Sequence, residues 1–315
     1  MLNNKKRLIG IAVLSMWTYA QAEVLVILPE SGPMERAGNS IKQGFMAAYQ
    51  ASQSQIPLKF VDETKMQLEQ VIKQAEDQGT KIIVGPLLRS NVEKMIQQNT
   101  VIKVLALNDT QQVNHTMWQF SLSKREDAQA LHQLMQQDEI ESLVILGQPD
   151  KHKDYVLFLT QLRQLLKTPV TMQAKDSDFV PQDKQGILIV GDADWLKQFS
   201  ELDAPYIYTV PNAIEASQPQ ALAVKFCDTP ALYENLWLDV LKETEKQTLN
   251  SAFKRLLAFG GDAWQISESY LMYGKDETVQ FQGRTGQLSL ATNSIHRVPH
   301  CYEKQQQKFK LIEIQ

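Results

Sequence analysis

The sequence predicts an α/β fold made of two doubly wound lobes. Short apolar runs alternate with segments of helical periodicity, and the same alternation restarts after Phe120. A continuous apolar run such as Val24–Leu28 is typical of a parallel strand that is buried on both faces. Strands that alternate with helices favour a parallel sheet with helices packed against it.

The first half of the chain contains four predicted strands, and a helix follows each of the first three. These strands are Val24–Leu28, Leu58–Val61, Ile82–Val84 and Val104–Leu107. Each helix carries its apolar side chains on one face, as a helix packed on a sheet does. Gly79 is expected to end the second helix.

The second half repeats this alternation. Its predicted strands are Leu143–Leu146, Ile187–Val190, Tyr206–Val210 and Leu222–Phe226. One of its helices has a buried face formed by Phe158, Leu159, Leu162 and Leu166. Two later helices are expected at 231–241 and 251–273, the second interrupted at Gly260-Gly261 because glycine destabilises a helix interior. The chain from Val279 onward is rich in predicted strands.

The first 22 residues have the pattern of a cleavable signal peptide. Three cations at positions 5–7 precede the apolar segment Leu8–Trp17, and Ala20-Gln21-Ala22 forms a small-x-small cleavage site before Glu23. The alternative is an uncleaved anchor, but a bilayer crossing needs about 20 apolar residues. The pattern therefore predicts export to the periplasm, and no lipid anchor is expected because no cysteine lies near the cleavage site.

Size and charge limit the classes of partner. Cleavage would remove three cations and no acids, which changes the formal net charge from −4 to −7. An acidic chain is a poor partner for nucleic acid, whose binding depends on clustered lysine and arginine. The remaining 293 residues are enough for one large domain or for two lobes.

Two cysteines, Cys227 and Cys301, are the only ones in the sequence. An even number of cysteines in an oxidising compartment permits a disulfide. Two buried free thiols are the alternative, and the sequence leaves both open because it does not contain the distance between the two Cα atoms.

The motifs of several catalytic classes are missing from the sequence. It has no Gly-x-Ser-x-Gly and no Gly-x-Gly-x-x-Gly, and the segment 85–90 lacks the second glycine and the lysine of a phosphate-binding loop. His296 and His300 would share one face of a strand, but no third metal ligand is evident, so surface histidines are the better interpretation. We therefore predict a binding protein with no catalytic residues, metal or cofactor.

Candidate binding residues lie where the first, third and fourth strands end. Ligands of open α/β sheets bind beyond the carboxyl ends of the strands. The candidates are Ser31, Gly32, Pro33, Gly85, Pro86, Leu87, Leu88, Ser90 and Asn108. The first three precede a helix N-terminus, which favours an anionic or acceptor-rich partner. The alternative is that these residues only form turns and caps.

Several segments carry a family resemblance. The segments at 26–33 (VILPESGP), 37–38 and 41–49 resemble the opening of type I periplasmic-binding-protein folds. Within that fold they are similar to the penicillin-binding-protein activator family, the LppC-type outer-membrane lipoproteins. Further similar segments follow in the same order at 84–92, 105–108, 256–264 and 283–290.

The resemblance implies a two-lobed protein of type I periplasmic-binding-protein architecture, in which the chain crosses between the lobes three times. Lobe 1 would contain residues 23–120 and 222–291, and lobe 2 would contain residues 121–221 and 292–315. It further implies a periplasmic regulator that activates a bifunctional peptidoglycan synthase, a class A penicillin-binding protein, by direct contact. Family members typically carry a lipidated cysteine and an added N-terminal helical domain, and neither is expected here.

A solute-binding protein of an ABC uptake system, for an amino acid or a small peptide, is the alternative function. In amino-acid binders of this fold, small hydroxyl residues and backbone N–H groups after the third and fourth strands hold the ligand carboxylate. Here Leu87, Leu88 and Arg89 occupy the loop after the third strand, and only Ser90 offers a hydroxyl. Leucines would leave the charges of such a ligand poorly solvated. The regulator is therefore preferred, and a small ligand or peptidoglycan fragment stays open as an additional partner.

Overall fold

The computed structural model describes residues 23–112, 114, 116–173, 180–215, 218–247, 249–274, 278–292 and 294–314. The predicted signal peptide, residues 1–22, lies outside the described residues. Within the described part of the chain, none of the helices has the length and apolar character that crossing a membrane requires.

The first lobe is built on a parallel five-stranded sheet. Its strands and helices, in chain order, are β1 (Val24–Leu28), α1 (Glu35–Ala51), β2 (Leu58–Asp62), α2 (Leu68–Asp77), β3 (Ile82–Val84), α3 (Arg89–Ile96), β4 (Lys103–Ala106) and β5 (Met117–Gln119). The strand order is β2-β1-β3-β4-β5. All five residues of β1 are buried, as the continuous apolar run predicts.

The second lobe contains a seven-stranded sheet. Its first elements are α4 (Lys124–Gln137), β6 (Ser142–Gly147), α5 (His152–Leu165), β7 (Val170–Gln173), β8 (Gln185–Val190), α6 (Ala193–Lys197), β9 (Ile207–Thr209) and β10 (Gln220–Asp228). The strands from β6 to β10 pair in parallel. The final strands β14 (His300–Gln306) and β15 (Lys308–Ile312) extend this sheet in antiparallel orientation beside β10.

Between β10 and β14 the chain returns to the first lobe. This return contains α7 (Leu238–Lys246), α8 (Ser251–Tyr273), β11 (Val279–Gln282), β12 (Gln287–Ala291) and β13 (Ser294–Val298). Strands β11 to β13 form a small antiparallel sheet. Its buried residues Leu288, Leu290 and Ile295 share one hydrophobic cluster with residues of β1 and α1. The predicted class, two α/β lobes with parallel sheets and three crossings, is confirmed.

The helix predictions for the returning segment need two corrections. Helix α8 continues through Gly260 because the missing side chain lets α8 pack directly on α1: a Cβ there would lie 2.0 Å from the Ile41 carbonyl oxygen. The helix predicted at 231–241 is wrong in its first half. The Tyr233 hydroxyl donates to Asp228 at 2.6 Å and holds this segment in a turn, so that α7 begins only at Leu238.

Strand pairing favours lobe boundaries other than the predicted ones at 222 and 292. Strand β10 pairs with β9 and β14 and therefore belongs to the second sheet. Strand β13 pairs with β12 and buries Ile295 in the first lobe. From this pairing we infer a first lobe of residues 23–120 and 229–298, and a second lobe of residues 121–228 and 299–314.

Arg255 joins the lobes at the second crossing. This arginine of α8 donates through Nε and Nη2 to the two carboxylate oxygens of Asp228 at 2.8 and 2.6 Å, and Nη2 also reaches the Pro211 carbonyl oxygen at 3.1 Å. Burial alone would raise the pKa of Asp228, but the charge and hydrogen bonds of Arg255 hold this pKa below its ordinary value. The pair therefore stays ionised although both side chains are buried.

Arg297 joins the lobes near the third crossing. Its Nη2 donates to Asp127 of α4 at 2.5 Å, and its backbone N–H donates to Glu126 at 2.9 Å. On the side of the first lobe, its Nη1 donates to the Thr285 carbonyl oxygen at 3.2 Å. Both arginine contacts bridge from the first lobe to the second.

Cys227 and Cys301 form a disulfide within the second sheet. They lie opposite each other on β10 and β14, the strands that enter and leave the returning segment. The bond therefore closes the 74-residue separation that contains α7, α8 and the small antiparallel sheet.

Reducing the disulfide should lower the free energy of unfolding by about 4–5 kcal/mol, since a loop of this length then regains its freedom in the unfolded chain. Urea unfolding with and without a phosphine reductant measures the loss. The double variant Cys227→Ala and Cys301→Ala should match the reduced protein and should not respond to the reductant. Equal stability of the oxidised and reduced forms would contradict the prediction.

Substituting Arg255→Met should lower the free energy of unfolding by about 3–5 kcal/mol, because the carboxylate of Asp228 would stay buried without its partner. The neighbouring half-buried Lys254 serves as the control, and Lys254→Met should change stability by less than about 1 kcal/mol. Urea unfolding followed by circular dichroism measures both variants. Similar losses in the two would show that the inter-lobe pair contributes little.

Candidate functional site

The carboxyl ends of β1, β3 and β4 lie at one edge of the first sheet. Val26 of β1 is paired with Val84 of β3, and Val84 is paired with Leu105 of β4, all in parallel. The loops that follow these strands therefore emerge together, as the sequence predicts. Most of their polar groups form hydrogen bonds within the protein, and this limits the ligands that this edge of the sheet can bind.

The loop after β1 is tied to the end of β2. The Ser31 hydroxyl lies 2.6 Å from the Thr64 hydroxyl and 3.3 Å from Asp62. The backbone N–H of Glu30 donates to Asp62 at 3.0 Å, and this bond, first among several, holds the pKa of Asp62 well below its usual range. Ser31 is thereby occupied within the loop.

The loop after β3 is shaped by its backbone. The Gly85-Pro86 peptide bond is cis, and Gly85 has a φ of +102°. A Cβ at Gly85 would lie 2.1 Å from the Ile27 carbonyl oxygen, so only glycine fits here. The backbone N–H of Gly85 donates to the Leu105 carbonyl at 2.8 Å, and the Pro86 carbonyl accepts from the N–H of Leu107 at 3.0 Å. Gly85 and Pro86 are therefore structural residues.

The Glu63 carboxylate accepts hydrogen bonds from the backbone N–H groups that follow β3. Its two carboxylate oxygens accept from the N–H groups of Leu87 and Leu88 at 2.9 and 2.8 Å, and the Asn91 amide donates to it at 3.1 Å. The side chain is buried, and this burial raises the pKa of the carboxyl group despite the hydrogen bonds. An internal carboxylate therefore occupies the backbone N–H groups that follow the third strand.

Asn108 after β4 completes this internal network. Its Nδ2 donates to the Leu87 carbonyl at 2.9 Å, and its Oδ1 accepts from the N–H of Asp109 at 2.9 Å. The side chain thus connects the loop after β3 to the loop after β4.

The strand ends of the second lobe are bonded in the same way. Gln148 after β6 donates to Asp192 at 3.2 Å and accepts from the Asp192 N–H at 3.0 Å. Asp192 also caps α6 by accepting from the Trp195 N–H at 2.9 Å, and this bond lowers the pKa of Asp192. The Tyr155 hydroxyl donates to the Gly191 carbonyl at 2.9 Å.

A cavity of about 320 Å³, the inter-lobe cleft, lies between the strand-end loops of the first lobe and helices α4 and α5 of the second. Residues of both lobes line it: Leu87, Asn108, Leu157, Gln161, Leu256 and Phe259. Leu157 of α5 is 69% exposed although it is apolar. The cleft therefore combines apolar side chains with polar and charged ones, most of which come from the loops after β3, β4 and β5 and from the start of α4.

The predicted site residues are distributed over three places. Leu87 and Asn108 line the inter-lobe cleft. Leu88 and Ser90 line a separate groove of about 550 Å³ beside Glu63. The remaining candidates lie outside the linings of both, in the loops already described: Ser31, Gly32, Pro33, Gly85 and Pro86.

Sequence reasoning missed Glu63 and Leu157. Glu63 follows β2 directly, so the rule that selects residues after strands would have found it if the second strand had been included. Leu157 lies on a helix rather than at a strand end, and its exposure depends on how the two lobes face each other.

The two histidines considered as metal ligands are on different sheets. His296 lies on β13 and His300 on β14, and Pro299 separates the two strands. His300 Nδ1 lies 2.7 Å from Glu234, and its Nε2 lies 2.9 Å from the Gln282 amide. Among the described residues, no three His, Cys, Asp or Glu side chains are grouped so that they could hold a metal.

Residues 6–176, more than half of the chain, match the family model described as "LppC putative lipoprotein". A protein named "Penicillin-binding protein activator LpoA" from Histophilus somni (strain 129Pt) is 27% identical over 315 residues, which cover 90% of this chain and 53% of that protein. The chain thus spans about half the length of the curated relatives it matches.

Two solved structures have a similar fold. The structure described as "LpoA (YraM) C-domain from Haemophilus influenzae, a regulator of PBP1A" has a TM-score of 0.74 and 22% identity, and the match covers 92% of this chain and 99% of that one. A "putative branched-chain amino acid ABC transporter" from Chromobacterium violaceum has a TM-score of 0.75 and 23% identity, with 88% and 98% covered. At such identities both matches show the fold alone.

Substituting Glu63→Gln should lower the free energy of unfolding by about 1–3 kcal/mol, because one buried backbone N–H loses its acceptor and meets an amide donor. Amide hydrogen exchange at Leu87 and Leu88 should become faster. The exposed Glu69 nearby is the control, and Glu69→Gln should leave both measurements unchanged. Unchanged exchange in Glu63→Gln would show that the carboxylate does not hold this loop.

Proposed function

This chain belongs to the LppC family, and from that membership we propose that it is a periplasmic regulator that activates a peptidoglycan synthase, a class A penicillin-binding protein, by direct contact. Two comparisons support the proposal. The Histophilus somni relative is named as an activator of a penicillin-binding protein. The Haemophilus influenzae domain that the chain matches over nearly its whole length is described as a regulator of PBP1A.

The fold alone does not choose between regulation and solute binding, because the transporter structure superimposes equally well. One observation supports the proposal most directly: the Glu63 carboxylate accepts hydrogen bonds from the backbone N–H groups of Leu87 and Leu88. Backbone N–H groups at a strand end and helix N-terminus form an anion site when they are free. Here the protein itself occupies them, which disfavours capture of a free amino acid.

Solute binding in an ABC uptake system is the second candidate function. The likeness to the Chromobacterium violaceum structure and the cleft of about 320 Å³ favour it. It requires free polar groups that orient both charges of an amino acid. The internal bonds of Asn108, Gln148 and Asp192 leave few such groups at the strand ends.

We also propose that the chain is exported and cleaved between Ala22 and Glu23. The proposed site lies just before β1, whose first residue Val24 is buried, so cleavage there would keep the whole first sheet. Both cysteines of the sequence form the disulfide, so neither thiol is free to carry a lipid. The mass of the protein recovered from the periplasm tests the cleavage position.

The proposed activity is binding and not catalysis. The names of the matched relatives describe activators and regulators. The hydroxyl and carboxylate groups at the strand ends, such as Ser31 and Glu63, are engaged in bonds that hold loops together. A group held in this way is poorly placed to transfer a proton to a substrate.

The protein purified from the periplasm should bind a full-length class A penicillin-binding protein of the same bacterium and raise its rate of peptidoglycan synthesis in a saturable way. Binding should persist at roughly 0.3 M salt, where contacts between exposed charges alone are largely screened. Biolayer interferometry measures the affinity, and incorporation of labelled lipid II measures the rate.

Thermal melting with free amino acids is the matching control. Occupancy at 100 times the dissociation constant would add about 2.7 kcal/mol to stability. We expect no shift. A clear upward shift of the melting temperature together with no effect on the synthase would contradict the regulator and support solute binding.

A further inference from the structure

We propose that the inter-lobe cleft is the docking site for the synthase, and that it receives an apolar side chain of the synthase flanked by acidic residues. This inference rests on the proposed function, because it names the surface and the chemistry of that contact. Three properties of the cleft carry it: an exposed apolar wall, a cationic rim, and a Leu87 backbone whose N–H and carbonyl groups are already bonded within the protein.

The apolar wall comes from both lobes. Leu157 of α5 presents an apolar side chain that is 69% exposed on the side of the second lobe. Leu87 and Phe259 are buried beneath the first-lobe side, and Leu122 and Leu256 are half-buried beside them. Burying a leucine that is left in water stabilises a complex. An apolar side chain of a partner would gain this contact.

The rim of the cleft is locally cationic. Arg89, Lys124 and Arg125 line it and are all exposed, whereas Asp109 is the one carboxylate among the described lining residues. Arg89 lies 3.4 Å from Glu93, and Lys124 lies 3.3 Å from Asp127, whose carboxylate is also bonded to Arg297. No carboxylate of the described residues lies within 4.0 Å of the Arg125 guanidinium. A cationic rim on an acidic protein orients an acidic partner segment.

The size and bonding of the cleft favour a side chain over a free solute. About 320 Å³ is at the lower end of small-molecule sites. A free amino acid would bury an ammonium and a carboxylate, and both need hydrogen bonds. At the cleft lining, the Leu87 N–H already donates to Glu63 and the Leu87 carbonyl already accepts from Asn108. A side chain that enters from a partner leaves its own backbone outside and needs only the apolar wall and the charged rim.

Two variants and two controls test this docking site by affinity for the full-length synthase. Leu157→Asp places a carboxylate on the apolar wall, and Arg125→Glu reverses a charge of the rim. Leu236 is 67% exposed and outside the cleft lining, so Leu236→Asp matches the first variant. Arg163→Glu on α5 matches the second, since Arg163 is exposed and also outside the lining.

Each cleft variant should weaken binding by roughly tenfold or more, and each control by less than about twofold. Arg125→Glu should lose more affinity at about 0.05 M salt than at about 0.5 M, and Arg125→Lys should keep most of it, because the effect is one of charge. All four replacements lie on exposed side chains, and equal melting temperatures will show that folding is intact.

The outcomes separate this inference from the proposed function. If the wild-type protein binds the synthase and all four variants bind equally well, the docking site is wrong and the regulator stands. If the wild-type protein neither binds nor stimulates the synthase, the proposed function fails and the inference fails with it. If sedimentation shows a dimer that Leu157→Asp dissociates, a second copy occupies the cleft and the synthase does not.

Discussion

The side chains of Arg255 and Arg297 extend from the first lobe to the second and form ion pairs with carboxylates that have little contact with water. The two arginines are 8% and 3% exposed. A buried charge is costly unless its partner is in place, and the cost of separation is several kcal/mol for each pair. Both pairs are satisfied only while the lobes keep their present arrangement. These ion pairs within the protein therefore oppose a change in the width of the inter-lobe cleft.

Internal hydrogen bonds also occupy backbone groups at the strand ends. Parallel strands that are buried on both faces leave backbone N–H groups at their carboxyl ends, and these groups need acceptors. Glu63 supplies the acceptor for Leu87 and Leu88, and burial raises the pKa of its carboxyl group. The fold is thus that of a solute-binding protein, while its strand-end donors are already used.

The sequence predicts the sheet well where burial is complete. Strands β1 and β3 are continuous apolar runs, and the structure has them within the predicted bounds. Strands β5 and β7 were missed because each has only three or four residues and includes polar ones. The predicted break of α8 at Gly260 was wrong for another reason: local propensity disfavours glycine in a helix, but the close contact with α1 outweighs it. Tertiary contacts of this kind have no local signature.

The site is harder to predict than the sheet. The rule that selects residues after strands finds loops, but it does not find helix surfaces that face a partner. One signal was nevertheless present in α5. Its buried face contains Tyr155, Phe158 and Leu162, spaced three to four residues apart, and Leu157 lies off that face. An apolar residue off the buried face of an amphipathic helix is left in water unless something covers it. Helix α5 contributes Leu157 to the lining of the cleft, where an apolar side chain left in water would gain from contact with an apolar side chain of a partner.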